Sequence, residues 1–273
     1  MTIDTLYNRV EMTFDDETKE AVLVEMQGKH KENFNFGEAV GLMVFRAWYP
    51  CVSYQGHFAY APTYDFPVRL AFVKDPFDPA GATCGNPDWR AWNLPNWIHT
   101  AKQLEEDGVK AIVGGCGLTG MIQSLIAKEI NIPFYSSTVL CVPMIHKTLP
   151  PGKGIGILTV SEFHFRLHDN ILLEECGVSD DISVVVQGMN EAAPEDAAAW
   201  LTMTTPDYDL EKVKQAVVNT VVNMVKNNPD MGTIVLECTE MPVYADAIRE
   251  AVNLPVFDAV DMVKMVHNMV RPK

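Results

Sequence analysis

Two cysteines carry the clearest chemical signal in this chain, because residues 111 to 145 slide onto residues 233 to 267 at a constant offset of 122, without a gap. Ile112, Val113, Cys116, Ile126, Asn131 and Pro133 fall on Ile234, Val235, Cys238, Ile248, Asn253 and Pro255, and the intervening apolar positions mostly correspond. Cys116 and Cys238 thus hold one structural position in two copies, at the end of a buried strand where the chain turns into a helix. In open α/β sheets that end is the ligand side. A helix N-terminus offers unpaired N–H groups and a partial positive charge, which favour the thiolate and lower a free-thiol pKa of about 8.5 towards neutrality. The N–H groups of Gly117, Leu118 and Thr119 in one copy, and of Thr239 and Glu240 in the other, can hold a carboxylate. Two such turns facing one another across a cleft, with sulfurs within about 10 Å, put a thiol on each face of one carbon. One thiolate then removes a proton while the opposite thiol supplies one. The competing reading is that both cysteines are packing residues at equivalent places of a duplicated fold, in a two-lobed small-molecule binding protein.

The elements that must position these turns are legible as short β-branched runs alternating with amphipathic stretches. Strands are predicted at 39–45, 68–73, 111–115 and 132–137, and again at 154–160, 183–189, 233–237 and 254–260, with helical segments near 162–176 and 209–227. Such alternation implies an α/β fold of mainly parallel sheets. Pro150, Pro151 and Gly152 make the clearest internal break. The division that follows is an N-terminal lobe over 1–150 and a C-terminal lobe over 151–260, with a helix at 261–273 able to pack back on the first lobe. The first 35 residues are charged and weakly patterned, which predicts an arm or an early helix rather than core.

Composition narrows the partners. A chain of 273 residues with 48% hydrophobic content can bury a sizeable core. Its net charge of -15 repels phosphate backbones and anionic membrane surfaces, against nucleic acid or membrane as partner. No apolar run is long enough for a bilayer and the start lacks signal-peptide character, which predicts a cytoplasmic address. Without a secretory context the six cysteines are not a disulfide framework, and Cys51, Cys84, Cys141 and Cys176 read as small buried hydrophobes. No metal site is predicted, since His164 and His168 stand four apart with no third ligand near them. Gly115, Gly117 and Gly120 spell GxGxxG, yet residues 136–140 hold no acidic partner for a ribose, so a nicotinamide enzyme is the minor reading.

Eight aromatic residues crowd into 45–66 (Phe45, Trp48, Tyr49, Tyr54, Phe58, Tyr60, Tyr64 and Phe66), of 25 in the chain, where even spreading gives two. Following the first strand, this segment should lie over the ligand side, where π faces such as Tyr60 and Tyr64 can hold an onium cation. Its other reading is a hydrophobic lid or a contact between copies of the chain in a homo-oligomer. Arg46, at the end of that strand, can bind a carboxylate, as can Thr239 beside Cys238. Glu237 and Glu240 bracket Cys238, and either can steer its protonation.

From about residue 38 to 268 the sequence resembles the aspartate/glutamate racemase superfamily, carried by IVLECTEMP at 234–242. That resemblance implies two pseudo-symmetric α/β lobes with one cysteine from each flanking the substrate. Gly117 and Leu118 follow Cys116 where the superfamily has Asn and Thr, which weakens amino-acid racemization as the activity. CGLTGMIQ (116–123), ECGV (175–178), LECTEMPVYADAIR (236–249) and LPVFDAV are similar to the algal-type dimethylsulfoniopropionate lyases. This implies an enzyme with no cofactor, in which a cysteine removes the α-proton of a small carboxylate and β-elimination releases dimethyl sulfide and acrylate.

Overall fold

A computed structural model describes residues 10–14, 21–25, 35, 37–45, 54–75, 93–195 and 209–271. Two compact units divide the chain, 1–36 and 37–273. In the first, β1 (Val10–Phe14) pairs antiparallel with β2 (Ala21–Glu25). The early helix predicted there is therefore corrected to strand. Val10, Met12 and Phe14 alternate with Glu11 and Thr13, a period of two that suits a strand and not a helix.

The second unit holds two four-stranded sheets. β3 (Val40–Phe45), β4 (Val68–Val73), β5 (Ala111–Gly114) and β6 (Phe134–Tyr135) form the first, in the order β4-β3-β5-β6. β7 (Gly154–Thr159), β8 (Val184–Gly188), β9 (Met231–Leu236) and β10 (Val256–Phe257) form the second, in the order β10-β9-β7-β8. All their pairings are parallel. Read from the last strand inwards the two orders are the same, as a duplication requires. The register repeats too: Ile112 pairs with Phe134 and Val113 with Tyr135, while Ile234 pairs with Val256 and Val235 with Phe257. Each number in the first pair is raised by 122 in the second.

Packing explains why both sheets read as apolar runs. Successive side chains of a strand point to opposite faces. In β5, Ile112 turns towards Trp97, Leu104 and Ile126, whereas Ala111 and Val113 meet Ala259, Val263 and Val266 of the helix Ala259–Val270. In β9, Ile234 and Leu236 face the helix Leu210–Asn227, whose Val217 and Val221 are fully buried, and Val235 faces Val139 and Val142. The segment after the last strand of each sheet is thus exchanged onto the other sheet. Burying one Val or Leu side chain this way stabilises by about 1.5–3 kcal/mol. Among the described residues no helix is long and apolar enough to cross a membrane.

Candidate active site

Both cysteines lie two residues beyond the end of a strand, Cys116 after β5 and Cys238 after β9. The local hydrogen bonds are duplicated as well. Gly115 N–H donates to Met43 O over 2.7 Å and Glu237 N–H to Leu158 O over 2.9 Å; Thr119 N–H donates to Cys116 O over 3.0 Å and Met241 N–H to Cys238 O over 3.1 Å. Each thiol therefore projects from a tight turn pinned to the neighbouring strand. Both are partly accessible, whereas Cys141 and Cys176 are buried, as small hydrophobes should be.

The two turns touch. Thr239 donates its hydroxyl to the Gly115 carbonyl over 2.9 Å, and Thr138 donates to the Leu236 carbonyl over 3.0 Å, both in buried surroundings. A Cβ placed on Gly117 would come within 2.2 Å of Glu237 Oε1 and 2.3 Å of its carbonyl oxygen. Only glycine allows that approach. Gly115 likewise has no room for a Cβ beside Val44 and the Met43 carbonyl, and Gly120 lies against Cys176, Leu172 and Ser137. Protein packing accounts for all three glycines of the GxGxxG string.

The expected helix N-termini are corrected. After Cys116 the chain enters a 3-10 turn, Gly117–Ile122, before the short helix Gln123–Ala127. After Cys238 the helix does not begin until Ala245. A macrodipole falls off within the first turn, so it does not reach Cys238. The lowered thiol pKa is corrected with it for Cys238, whose thiol is held well above the ordinary range. Burial is the largest cause, Glu240, Glu237 and the Cys116 sulfur add to it, and the backbone N–H of Glu240 opposes them by hydrogen bonding.

Two carboxyls flank Cys238. Glu237 is 2% exposed; burial pushes its pKa up to about 7, against the hydroxyl of Thr159, which donates to Oε2 over 2.8 Å. Among the described residues its Oε1 has no hydrogen-bond partner. Glu240 is buried against His57, whose Nε2 stands 2.9 Å from Glu240 Oε2. His57 Nδ1 accepts from Ala59 N–H over 3.0 Å, so the ring proton sits on Nε2 and is donated to the carboxylate. His57 escaped sequence reasoning, since a single histidine among aromatics carries no spacing signal.

His57 also anchors the described part of the aromatic segment beside Cys238, with Gly56 against Val243. Within that segment Tyr60 is half-buried and Tyr54 exposed. Tyr64 is only 7% exposed and packs with Phe58 in the core against the helix Ala259–Val270, its hydroxyl donating to Phe58 O over 2.8 Å. The structure places Tyr64 in the core. Leu118 sends its side chain into the apolar cluster of Met121 and Val139, leaving only its backbone to the site. The hydroxyl donor of Thr239 is taken by Gly115. Arg46, Trp48, Tyr49, Cys51 and Cys84 lie outside the described residues. A separate groove of about 560 Å³ runs along β4, crossed by the Arg69–Asp107 ion pair, and contains no cysteine.

The model of the Asp/Glu/Hydantoin racemase family matches residues 88–264. Dimethylsulfoniopropionate lyase 6 of Emiliania huxleyi is 28% identical over 165 residues, which cover 60% of this chain and 43% of the lyase. The dimethylsulfoniopropionate lyase of Durusdinium sp. clade D is 28% identical over 158 residues, 57% of this chain and 51% of that protein. The chain matches about half the length of these relatives, or less. Among solved structures, allantoin racemase from Klebsiella pneumoniae superposes with a TM-score of 0.56 at 16% identity, over 85% of this chain and 88% of the racemase, a likeness of fold.

Proposed function

The chain belongs to the Asp/Glu/hydantoin racemase family, and from that premise we propose that it is a cofactor-independent enzyme that removes the α-proton of a small carboxylate held between Cys116 and Cys238, with dimethylsulfoniopropionate as substrate. A thiolate takes the α-proton, the C–H electron pair becomes the new carbon–carbon double bond, and the β carbon–sulfur bond breaks with its pair on sulfur. The products are dimethyl sulfide, acrylate and a protonated thiol. The observation that carries the reading is the Thr239 to Gly115 hydrogen bond, which ties the residue after one cysteine to the residue before the other. It fixes the separation of the thiols, as positioning catalysis requires.

Support for a sulfonium comes from the half-buried ring of Tyr60, whose π face suits a cation needing no hydrogen-bond acceptors, whereas the flanking carboxyls of Glu237 and Glu240 would serve a sulfonium or an ammonium alike. Gly117, Leu118 and Thr239 would hold the substrate carboxylate through their backbone N–H groups. A second reading, a cofactor-independent amino-acid racemase, is favoured by the matched turns of the two cysteines. Incubation in D2O with a panel of carboxylates, following α-deuterium and headspace dimethyl sulfide, separates the readings. Loss of turnover in both Cys116→Ser and Cys238→Ser, with the fold intact, would favour racemization, whereas loss in only one of them favours elimination. Full activity in both serine variants would refute the two-thiol chemistry, and a parent protein that turns over none of the panel would leave a binding protein.

A further inference from the structure

The duplication breaks at the residues that collar its cysteines. Gly115 and Leu118 flank Cys116; Glu237 and Glu240 hold the same places around Cys238. The difference extends to the neighbouring strands. Gly115 bonds to Met43 and Glu237 to Leu158, which makes Val44 of β3 the counterpart of Thr159 of β7. At position 115 a Cβ would lie 2.7 Å from Val44 Cγ1. At position 237 a whole carboxyl is accommodated, and Thr159 donates to it. Leu118 packs among apolar side chains, whereas Glu240 is held by His57. Cys238 thus has two buried carboxyls on its own turn, one with an oxygen unpartnered among the described residues, and Cys116 has none on its own turn, although Glu237 Oε1 also lies against Gly117.

Resting on the reading that these two thiols do the chemistry, we propose that Glu237 and Glu240 are positioning residues that make them unequal, holding Cys238 as a thiol and leaving Cys116 to ionise and remove the substrate proton. The C–H bond then breaks as an S–H bond forms at Cys116, while Cys238 keeps its proton through an elimination. Electrostatics run in the same direction. Glu237 faces Thr159, Cys176 and Cys238, and Glu240 faces His57 and Cys238. With a pKa near 7, Glu237 is ionised above neutrality, where a thiol would otherwise start to lose its proton. Its negative charge then opposes a second one on Cys238.

Alkylation of the intact chain tests this without substrate. Iodoacetamide is applied from about pH 6.5 to 9.5 and each cysteine is followed by peptide mass spectrometry, with buried Cys141 and Cys176 as slow references. Cys116 should react first. Glu237→Gln and Glu240→Gln should each raise the Cys238 rate at pH 8 by about tenfold, the effect of one pKa unit. Both should move its profile to lower pH, and by more than that of Cys116. Glu237→Asp, which keeps the charge, should stay slow. Should a glutamine variant misfold, Thr159→Val serves instead, because loss of the hydroxyl favours the protonated carboxyl and should also speed Cys238. Equal rates at the two cysteines in the parent protein, or a Cys238 profile unmoved in folded variants, would overturn the proposal. The alkylation order without any α-deuteration would sink the functional reading alone, and α-deuteration with equal thiols would sink this inference alone.

Discussion

Replacing Gly117 by alanine probes the contact between the two thiol turns. The new Cβ would stand 2.2 Å from Glu237 Oε1 and 2.3 Å from the Glu237 carbonyl oxygen. The carboxyl can rotate away, but the carbonyl is backbone and cannot. Reaching an ordinary contact requires the turns to part by about 1 Å, at an overpacking cost of roughly 1–3 kcal/mol. The Thr239 to Gly115 hydrogen bond spans the same gap, and lengthening it adds about 0.5–1.5 kcal/mol. At roughly 2–4 °C per kcal/mol, Tm should fall by about 3–18 °C. Cys116 moves with Gly117, so turnover of dimethylsulfoniopropionate should drop on the order of 100-fold, the usual effect of a 1 Å misplacement. Gly152→Ala is the control: its φ of +82° strains the new residue, but nothing lies within 4 Å, so it should cost about 1–2 kcal/mol and spare activity. A Gly117→Ala protein melting within a degree of the parent and keeping full turnover would refute the contact and the positioning drawn from it.

Thr239→Val, which strands a buried carbonyl, should destabilise by about 1–3 kcal/mol in urea titration, and Thr239→Ser by much less. Tyr64→Leu should lower stability by about 1–3 kcal/mol through lost packing and the lost Phe58 bond, whereas Tyr60→Leu should weaken sulfonium binding in calorimetry with little change in Tm. The pH dependence follows from Glu237, whose folded pKa of about 7 stands above its ordinary 4.5. The folded state therefore binds the proton more tightly, and that stabilisation is complete below about pH 4.5 and lost as pH rises through 7, on the order of 3 kcal/mol. Glu237→Gln should flatten the fall in Tm between pH 5 and 8, and an unchanged slope would count against a buried carboxyl there.

The sequence by itself determined the α/β class, the parallel strands to within a few residues and the pairing of Cys116 with Cys238. These rest on local patterns: apolar runs of strand length, turn residues between them, and a repeat that needs no coordinates to detect. The weakest strand predictions were 132–137 and 254–260, where only Phe134–Tyr135 and Val256–Phe257 pair. The remaining residues there turn into caps, with Ser137 and Asp258 accepting backbone N–H groups. Tertiary structure alone decided the electrostatics. A glutamate written beside a cysteine has no fixed pKa until burial removes its water, as it does for Glu237, and the hydrogen bond that Glu240 receives comes from His57, 183 residues away. It also decided that Tyr64 is core, because the helix that covers it arrives from the far end of the chain. Periodicity reports which side chains are apolar, but desolvation and long-range pairing depend on what comes to lie against them, and that is fixed only when the two sheets exchange their closing helices.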